Sequence, residues 1–275
     1  MVDQESEDPH DVDVYAPPRE TTFRFIQFVT AQGIARLTLN RPPANVLSVE
    51  MMEEVNLALE SLEYQREVKL LIVAAHGKYF SPGFDLPDHL GDRGYMMLEE
   101  FRRIFDNLAK VDKPTLAIVN GPALGAGSIL VAACDICYAA ASSKFGHPEI
   151  KGGVFNPVAA AVLPRLVGRR RAAEMILGGA SINAAEAERI GLITRAIPDD
   201  RLEAEVNTLV QRFQEGSAVV LQLTRRAFAG ALDLPLPDAL RHTEDVYLNQ
   251  LLATEDAEEG LRAIMEKRKP SWKDR

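Results

Sequence analysis

Residues 80–86 read Phe-Ser-Pro-Gly-Phe-Asp-Leu, and residues 120–127 read Asn-Gly-Pro-Ala-Leu-Gly-Ala-Gly. Each stretch follows an apolar run, at 70–75 and 115–119, that predicts a buried strand. A strand, a sharp glycine turn and then a helix leave backbone N–H groups unpaired where the helix starts. Two such turns on neighbouring strands can direct two N–H groups at one point. That arrangement is an oxyanion hole, which stabilises negative charge developing on a carbonyl oxygen.

Composition and charge narrow the classes of function. The chain has 275 residues, of which 47% are hydrophobic and 26% charged, as is typical of a soluble globular protein. Its formal net charge of −9 disfavours nucleic acid or an anionic membrane as the main partner. No apolar run approaches the roughly 18 residues of a membrane span.

The N-terminal residues 1–20 carry seven acidic residues and one arginine, and they lack an apolar stretch. This pattern is that of neither a signal peptide nor a transit peptide. We therefore expect a disordered acidic arm and a cytoplasmic protein.

Cys134 and Cys137 form a C-x-x-C motif with apolar flanks. A zinc site needs four ligands, and the chain has no second cysteine pair. We expect buried, inert thiols and no metal site.

Strands and helices alternate in the first part of the chain. A hairpin is predicted at 23–39 with its turn at Gln32-Gly33, and Ser48 is the predicted cap of the first helix. The polar stretch 85–94 suggests a lid or pocket wall. Alternation predicts an α/β fold with parallel strands joined by crossover helices.

Beyond residue 157 the strand signal nearly vanishes, apart from residues 192–194. We expect helices there at 158–167, 169–178, 184–190, 199–214, 217–231, 237–252 and 254–267. The predicted organisation is an arm at 1–20, an α/β core at 21–198 and a C-terminal helical region at 199–275.

Six motifs in this order resemble those of the enoyl-CoA hydratase/isomerase (crotonase) superfamily, and the resemblance runs from about residue 22 to the end. They are Leu39-Asn40-Arg41-Pro42, residues 80–86, residues 120–127, Cys134-Asp135-Ile136, residues 144–150 and Glu266-Lys267-Arg268-Lys269. The resemblance implies a spiral of ββα units with a C-terminal helical trimerisation region. It also implies an acyl-CoA thioester substrate and a homotrimer or homohexamer.

Within the superfamily, three segments are similar to those of cyclohexa-1,5-diene-1-carbonyl-CoA hydratases. They are residues 41–46, residues 148–157 and the tail from Tyr247 to Arg275. This similarity implies hydration of a cyclic dienoyl-CoA, as in the degradation of aromatic compounds.

The resemblance assigns roles to three residues. The backbone N–H groups of Phe84 and Ala126 would form the oxyanion hole for the thioester carbonyl. Glu149 would handle a proton at the carbon next to the thioester. From the sequence alone, Glu149 follows a proline in a segment that is otherwise apolar or small, which makes it the leading candidate for acid–base chemistry. A solvated surface glutamate is the alternative.

Ile129 departs from the pattern, because many hydratases of the family carry a second catalytic glutamate at this position. Here we expect Ile129 to line the pocket and to make it more apolar, which suits an alicyclic or bulky acyl group. One carboxylate is enough for a double-bond isomerase, so isomerisation is the alternative activity. Hydration would need Glu149 alone or with help from another polar pocket group. The candidates for that help are Asp85, Asp88, His89, His147 and Asn156.

Coenzyme A is expected as part of the substrate and not as a separate cofactor. The family binds its adenine with backbone carbonyls that correspond to Pro82 and the segment Ala44–Val46. A C-terminal lysine, here Lys267, commonly reaches a CoA phosphate, often on the neighbouring subunit. Ile264 stands where an aromatic residue often packs on CoA, so this chain lacks the aromatic side chain for that contact.

Two further classes stay open. A thioester hydrolase would need a nucleophile, and Ser128 follows the second glycine turn without the full G-x-S-x-G pattern. A non-catalytic CoA- or RNA-binding homologue is supported by Ile129 and opposed by Glu149 and the acidic balance. A dehydrogenase is excluded, because the second turn lacks the G-x-G-x-x-G spacing.

Overall fold

The computed structural model describes residues 23–275, so the predicted acidic arm at 1–20 lies outside the described residues. The strands are β1 (Ile26–Ala31), β2 (Ile34–Leu39), β3 (Leu70–Ala75), β4 (Thr115–Val119), β5 (Ala123–Leu124), β6 (Ile136–Ala140), β7 (Lys144–Gly146), β8 (Ser181–Asn183) and β9 (Arg195–Ile197). The helices are α1 (Val49–Ser61), α2 (Arg93–Lys110), α3 (Ala126–Ala132), α4 (Pro157–Leu166), α5 (Arg169–Gly178), α6 (Ala184–Arg189), α7 (Leu202–Gln214), α8 (Ala218–Ala231), α9 (Leu236–Asp245) and α10 (Glu255–Glu266).

Six strands form the main sheet, in the order β1-β2-β3-β4-β6-β9. β1 and β2 are antiparallel and turn at Gln32 and Gly33, both of which have positive φ. Every other pair in this sheet is parallel. Parallel neighbours need long crossover connections, and helices supply most of them here. The predicted hairpin and the predicted parallel pairing are both confirmed.

A small second sheet places the functional segments. β5 pairs with β7 in parallel, and β7 pairs with β8 antiparallel. None of these short strands was predicted, because two or three residues are too few to show an alternating pattern. Through this sheet the amide of Gly125 donates to the carbonyl of Gly146 at 2.8 Å, which fixes the second glycine turn beside the segment that follows β7.

The two glycine turns are in direct contact. The amide of Leu124 donates to the carbonyl of Ser81 at 2.8 Å. A methyl group on Gly127 would lie 2.4 Å from that same carbonyl oxygen, so the approach requires glycine. The close contact brings the ends of β3 and β4 together at one edge of the sheet.

Apolar residues cover both faces of the main sheet. One face packs against α1, α2 and α3 in a large cluster that includes Phe80, Phe101 and Ile129. The other face packs against α7 through a smaller cluster that includes Ile72 and Val206. Strands covered on both faces are expected to be apolar throughout, as residues 70–75 are.

Several predicted boundaries moved. The predicted helix at 237–252 begins at Leu236 and ends as regular α-helix at Asp245. The predicted strand at 192–194 was wrong, since the strand begins at Arg195. The amides of Leu192 and Ile193 instead donate to the carbonyl of Ala187, so these residues complete the end of α6.

Candidate active site

A cavity of about 480 Å³ lies where the two glycine turns meet the segment after β7. Its polar lining comes from few side chains, and the rest of its wall is backbone or apolar. The side chains and backbone that form it belong to Pro82, Gly83, Phe84, Leu86, His89, Leu90, Gly125, Ala126, Pro148, Glu149, Gly152, Val154, Phe155 and Asn156. The structure therefore brings Phe84, Ala126 and Glu149 to one cavity.

The backbone N–H groups of Phe84 and Ala126 are both unpaired. Neither N–H donates to an acceptor within residues 23–275. A methyl group on Gly83 would lie 3.2 Å from the amide nitrogen of Ala126, which shows how closely the first turn approaches the start of α3. The Phe84 ring packs edge-on against Phe101, with centroids 4.9 Å apart, and this contact anchors the residue. Two free donors therefore border the same cavity.

Glu149 lies in a short helical turn, Pro148–Gly152, directly after β7. Its side chain is only 19% exposed. Oε2 is buried and has no hydrogen-bond partner among the described residues. A methyl group on Gly125 would lie 3.2 Å from this oxygen, so the carboxylate stands next to the second glycine turn. A solvated surface role does not fit this burial.

His147 holds the other carboxylate oxygen. The ring is 1% exposed, and its Nδ1 lies 3.1 Å from Oε1 of Glu149. With the proton on Nδ1, the imidazole donates to the carboxylate and leaves Oε2 free. The ring does not line the cavity itself. His147 thus acts on the site through Glu149 and not by direct contact.

Asn156 caps α4 from the cavity wall. Its Oδ1 accepts from the amides of Val158 and Ala159, at 2.9 and 3.2 Å. The residue is 3% exposed, and its Nδ2 is buried with no partner in the part of the chain that is described. Because Oδ1 is committed to the helix, the orientation of the amide group is fixed.

Ile129 does not line the cavity. It is 0% exposed and packs in the large apolar cluster, so the expectation that it forms pocket wall does not match its position. The β-branched, wholly apolar side chain of Ile129 lies on the inner face of α3. The core accommodates such a side chain better than a partly polar cavity does. α3 therefore supplies no carboxylate to this site.

The other proposed helpers divide into two groups. His89 lines the cavity and packs edge-on against the Phe84 ring at 5.9 Å. Asp85 pairs with Arg41 at 2.8 Å and lies at a different cavity. Asp88 is buried, accepting from the Val49 amide at 2.9 Å and from Arg93 at 2.5 Å, so it supports α1 and α2. Of these three residues, only His89 remains available to a ligand in the main cavity.

The stretch 85–94 forms part of the wall of the main cavity, as its polar composition suggested. It does so largely through residues that the sequence analysis did not single out. Leu86 and Leu90 line the cavity from this stretch, and Val154 and Phe155 line it from the segment after Glu149. No motif marks these four residues, because isolated apolar residues in loops carry no periodic signal.

The residues expected to bind CoA are dispersed. Pro82 lines the main cavity, whereas Val46 lines a second cavity of about 520 Å³ together with Arg24 and Arg41. Arg41 donates to the Val46 carbonyl at 3.1 Å, so that carbonyl is already engaged. Ala44 is half-buried.

Lys267 ends α10 with a left-handed backbone and an exposed side chain, and it lines neither of these two cavities.

The sequence analysis did not identify Arg41 as a residue of the second cavity, although Arg41 belongs to one of the six motifs.

The two cysteines are poor nucleophiles. Burial, reinforced by the charge of Asp135, raises the pKa of the Cys134 thiol to about 12. Burial also raises the pKa of Cys137 well above its ordinary value. Free thiols of this kind agree with the expected inert pair. No group of three or more metal-ligating side chains occurs in residues 23–275.

The Oγ of Ser128 is buried without a hydrogen-bond partner in the described chain, so no histidine activates it as a hydrolase nucleophile.

None of the helices described is long and apolar enough to cross a membrane. The cytoplasmic location stays a prediction.

Comparison with known proteins identifies a family and relatives for this chain. The sequence model described as "Enoyl-CoA hydratase/isomerase" matches residues 29–275. Over 253 residues the chain is 36% identical to a probable enoyl-CoA hydratase of Rhizobium meliloti (strain 1021), covering 90% of this chain and 97% of that protein. Over 244 residues it is 33% identical to the cyclohexa-1,5-dienecarbonyl-CoA hydratase of Thauera aromatica, covering 88% and 94%.

Solved structures share the architecture. The enoyl-CoA hydratase of Geobacillus kaustophilus HTA426 superposes with a TM-score of 0.88 at 27% identity, covering 93% of this chain and 98% of that one. The predicted crotonase-like α/β fold with a C-terminal helical region is therefore confirmed. The chain belongs to the enoyl-CoA hydratase/isomerase family and is an enzyme of that family, with hydratase activity favoured.

Proposed function

We propose that the protein adds water to the double bond of an α,β-unsaturated acyl-CoA thioester. The observation that carries this proposal is the unpartnered Oε2 of Glu149, in the same cavity as the two free amides of Phe84 and Ala126. A base that has no internal partner can take a proton, and two free donors can hold a developing oxyanion.

The reaction follows from these positions. The water oxygen bonds to the β-carbon while one of its protons moves to Oε2 of Glu149. The electron pair of the double bond shifts, and the thioester oxygen becomes an enolate oxygen that accepts from both amides. Each such donor contributes roughly 2.7–4 kcal/mol to the barrier reduction. Glu149 then delivers the proton to the α-carbon, which yields a 3-hydroxyacyl thioester and restores the carboxylate.

The shape of the cavity favours an alicyclic or bulky acyl group. Leu86, Leu90, Val154 and Phe155 give its wall an apolar character, and the only carboxylate in that wall is Glu149 within the described chain. A cyclic dienoyl group presents a broad apolar surface without polar substituents that would need partners. The similarity to the Thauera enzyme supports the same choice, a cyclic dienoyl-CoA.

For the CoA moiety, we keep the expected contacts as part of the proposal. Pro82 borders the main cavity, and Val46, the last residue of the segment Ala44–Val46, borders the second one. Lys267 is exposed and would reach a phosphate only where another subunit brings the nucleotide to it. A charged ammonium beside a phosphate is the contact that such a role requires.

One observation favours a second activity. With Ile129 in the core, Glu149 acts without a second carboxylate from α3. A single carboxylate can take a proton from one carbon beside the double bond and return it to another, which is isomerisation.

The test is product analysis by mass spectrometry with a panel of linear enoyl-CoA, cyclic monoenoyl-CoA and cyclic dienoyl-CoA thioesters. We expect a gain of one water molecule, fastest with the cyclic dienoyl compound. An unchanged mass with a changed ultraviolet spectrum would identify the isomerase instead. Release of free CoA would mean hydrolysis and would contradict both activities.

A further inference from the structure

Asn156 holds a buried hydrogen-bond donor that the protein does not use. Its Oδ1 accepts from two amides at the start of α4, so the amide plane cannot turn round without breaking both bonds. Nδ2 has no partner among residues 23–275. The residue is buried, with only 3% of its surface exposed, and it lines the main cavity.

A buried donor that stays unsatisfied destabilises a fold. Such a group is therefore expected to meet an acceptor that enters the cavity. An amide N–H donates to oxygen, and the reacting end of the proposed substrate and the attacking water offer two oxygens to this cavity wall, that of the thioester and that of water. The thioester oxygen already has two backbone donors, so the oxygen of water is the acceptor that remains.

We propose that Asn156 donates through Nδ2 to the water molecule that Glu149 deprotonates. The water oxygen would accept from Asn156, one proton would point to Oε2 of Glu149, and a lone pair would face the β-carbon. This inference rests on the proposed hydration.

The inference separates two parts of the reaction. Formation of the enolate needs the two amides and Glu149, which can remove an α-proton from a saturated acyl-CoA and return a proton from solvent. Addition of water needs Asn156 as well. Loss of the Nδ2 donor should therefore impair hydration and leave α-proton exchange intact.

The experiment compares wild type with Asn156→Ser in two assays. A serine at this position keeps an oxygen to cap α4 and removes the amide donor, so the change in helix stability is small. Asn183→Ser is the matched control, since Asn183 caps α6 in the same way and does not line the cavity. The assays are hydration of an enoyl-CoA and exchange of the α-protons of the saturated thioester in D₂O.

We expect Asn156→Ser to lower kcat for hydration about 10²-fold, the scale of a misplaced reactant, while exchange stays within about 3-fold of wild type. Asn183→Ser should change neither rate. Hydration at the wild-type rate, or an equal loss of both rates in Asn156→Ser, would overturn the role of Asn156. Wild-type protein that neither hydrates nor exchanges would instead overturn the proposed function.

Discussion

At the scale of single residues, Glu149 is arranged as a base with one oxygen held and one free. His147 contacts Oε1 at 3.1 Å, and the buried Oε2 has no partner in the described chain. A carboxylate fixed through one oxygen loses rotational freedom that would otherwise be lost during the reaction. The hydrogen bond between two neighbouring side chains thus prepares the geometry for proton transfer.

We predict that His147→Leu lowers kcat about 10-fold and leaves KM within about 2-fold of wild type. The expected loss corresponds to one net hydrogen bond of about 1.4 kcal/mol. His147→Asn should restore most of the rate, because an asparagine nitrogen can occupy the place of Nδ1. Steady-state kinetics of the three proteins is the measurement.

Thermal unfolding serves as the control for His147, since both substitutions affect the same buried site. A leucine variant with an unchanged kcat would contradict the positioning role. An asparagine variant no better than leucine would contradict it as well, because loss of packing would then explain the effect.

Much of the site could be predicted at this scale, because its chemistry is written in short motifs. Glu149 follows a proline in an apolar segment, and the two glycine turns follow apolar runs. Ile129 was expected in the pocket wall and instead packs in the core. The sequence does not separate these two positions, because an apolar residue fits either of them. The free donor of Asn156 needs the cap at α4 to be recognised, and only the structure shows that cap.

At the scale of elements, a buried carboxylate helps to attach the C-terminal tail to the helical region. Asp256, 1% exposed near the start of α10, accepts from Ser217 Oγ and from the amides of Lys273 and Asp274. In turn Asp274 accepts from the Ala218 amide at the start of α8 at 2.7 Å. The tail thereby connects α10 to α8.

We predict that Asp256→Ala lowers the free energy of unfolding by about 3 kcal/mol, since it leaves buried donors without an acceptor. Asp233→Ala is the matched control, because that side chain is 91% exposed and should change stability by less than about 0.5 kcal/mol. Denaturant unfolding of the two variants and wild type tests this. Equal stability of the Asp256 and Asp233 variants would contradict the attachment.

Element boundaries were harder to predict than element types. The main parallel strands and most helices were predicted from long apolar patterns, whereas β5, β7 and β8 have two or three residues each. The shifted start of β9 depends on backbone hydrogen bonds to Ala187, which no local pattern reveals. Tertiary contacts decide such short segments.

At the scale of the whole molecule, the C-terminal helical region exposes large apolar side chains. Leu232, Leu236 and Leu248 are exposed in this region, as are Ile264 and Met265 on α10. Exposed apolar side chains clustered in one region are typical of an interface. We therefore keep the homotrimer or homohexamer as a proposal for this chain.

We predict a mass in solution of three or six chains, each of 30.3 kDa, in size-exclusion chromatography with light scattering. Leu236→Glu combined with Leu248→Glu should shift the mass towards the monomer, because charge at an apolar interface is unfavourable. Tyr64→Glu, at an exposed position outside the C-terminal region, is the control. A wild-type monomer would contradict the proposed assembly.

The claim on which the mechanism depends is that Glu149 transfers protons in the cavity that holds the two free amides. The most direct measurement is kcat and KM for hydration of an enoyl-CoA by Glu149→Gln, beside Glu203→Gln, which changes an exposed glutamate on α7. We predict that Glu149→Gln loses at least about 10²-fold in kcat with KM nearly unchanged, and that the control matches wild type. Wild-type turnover by Glu149→Gln would contradict the mechanism.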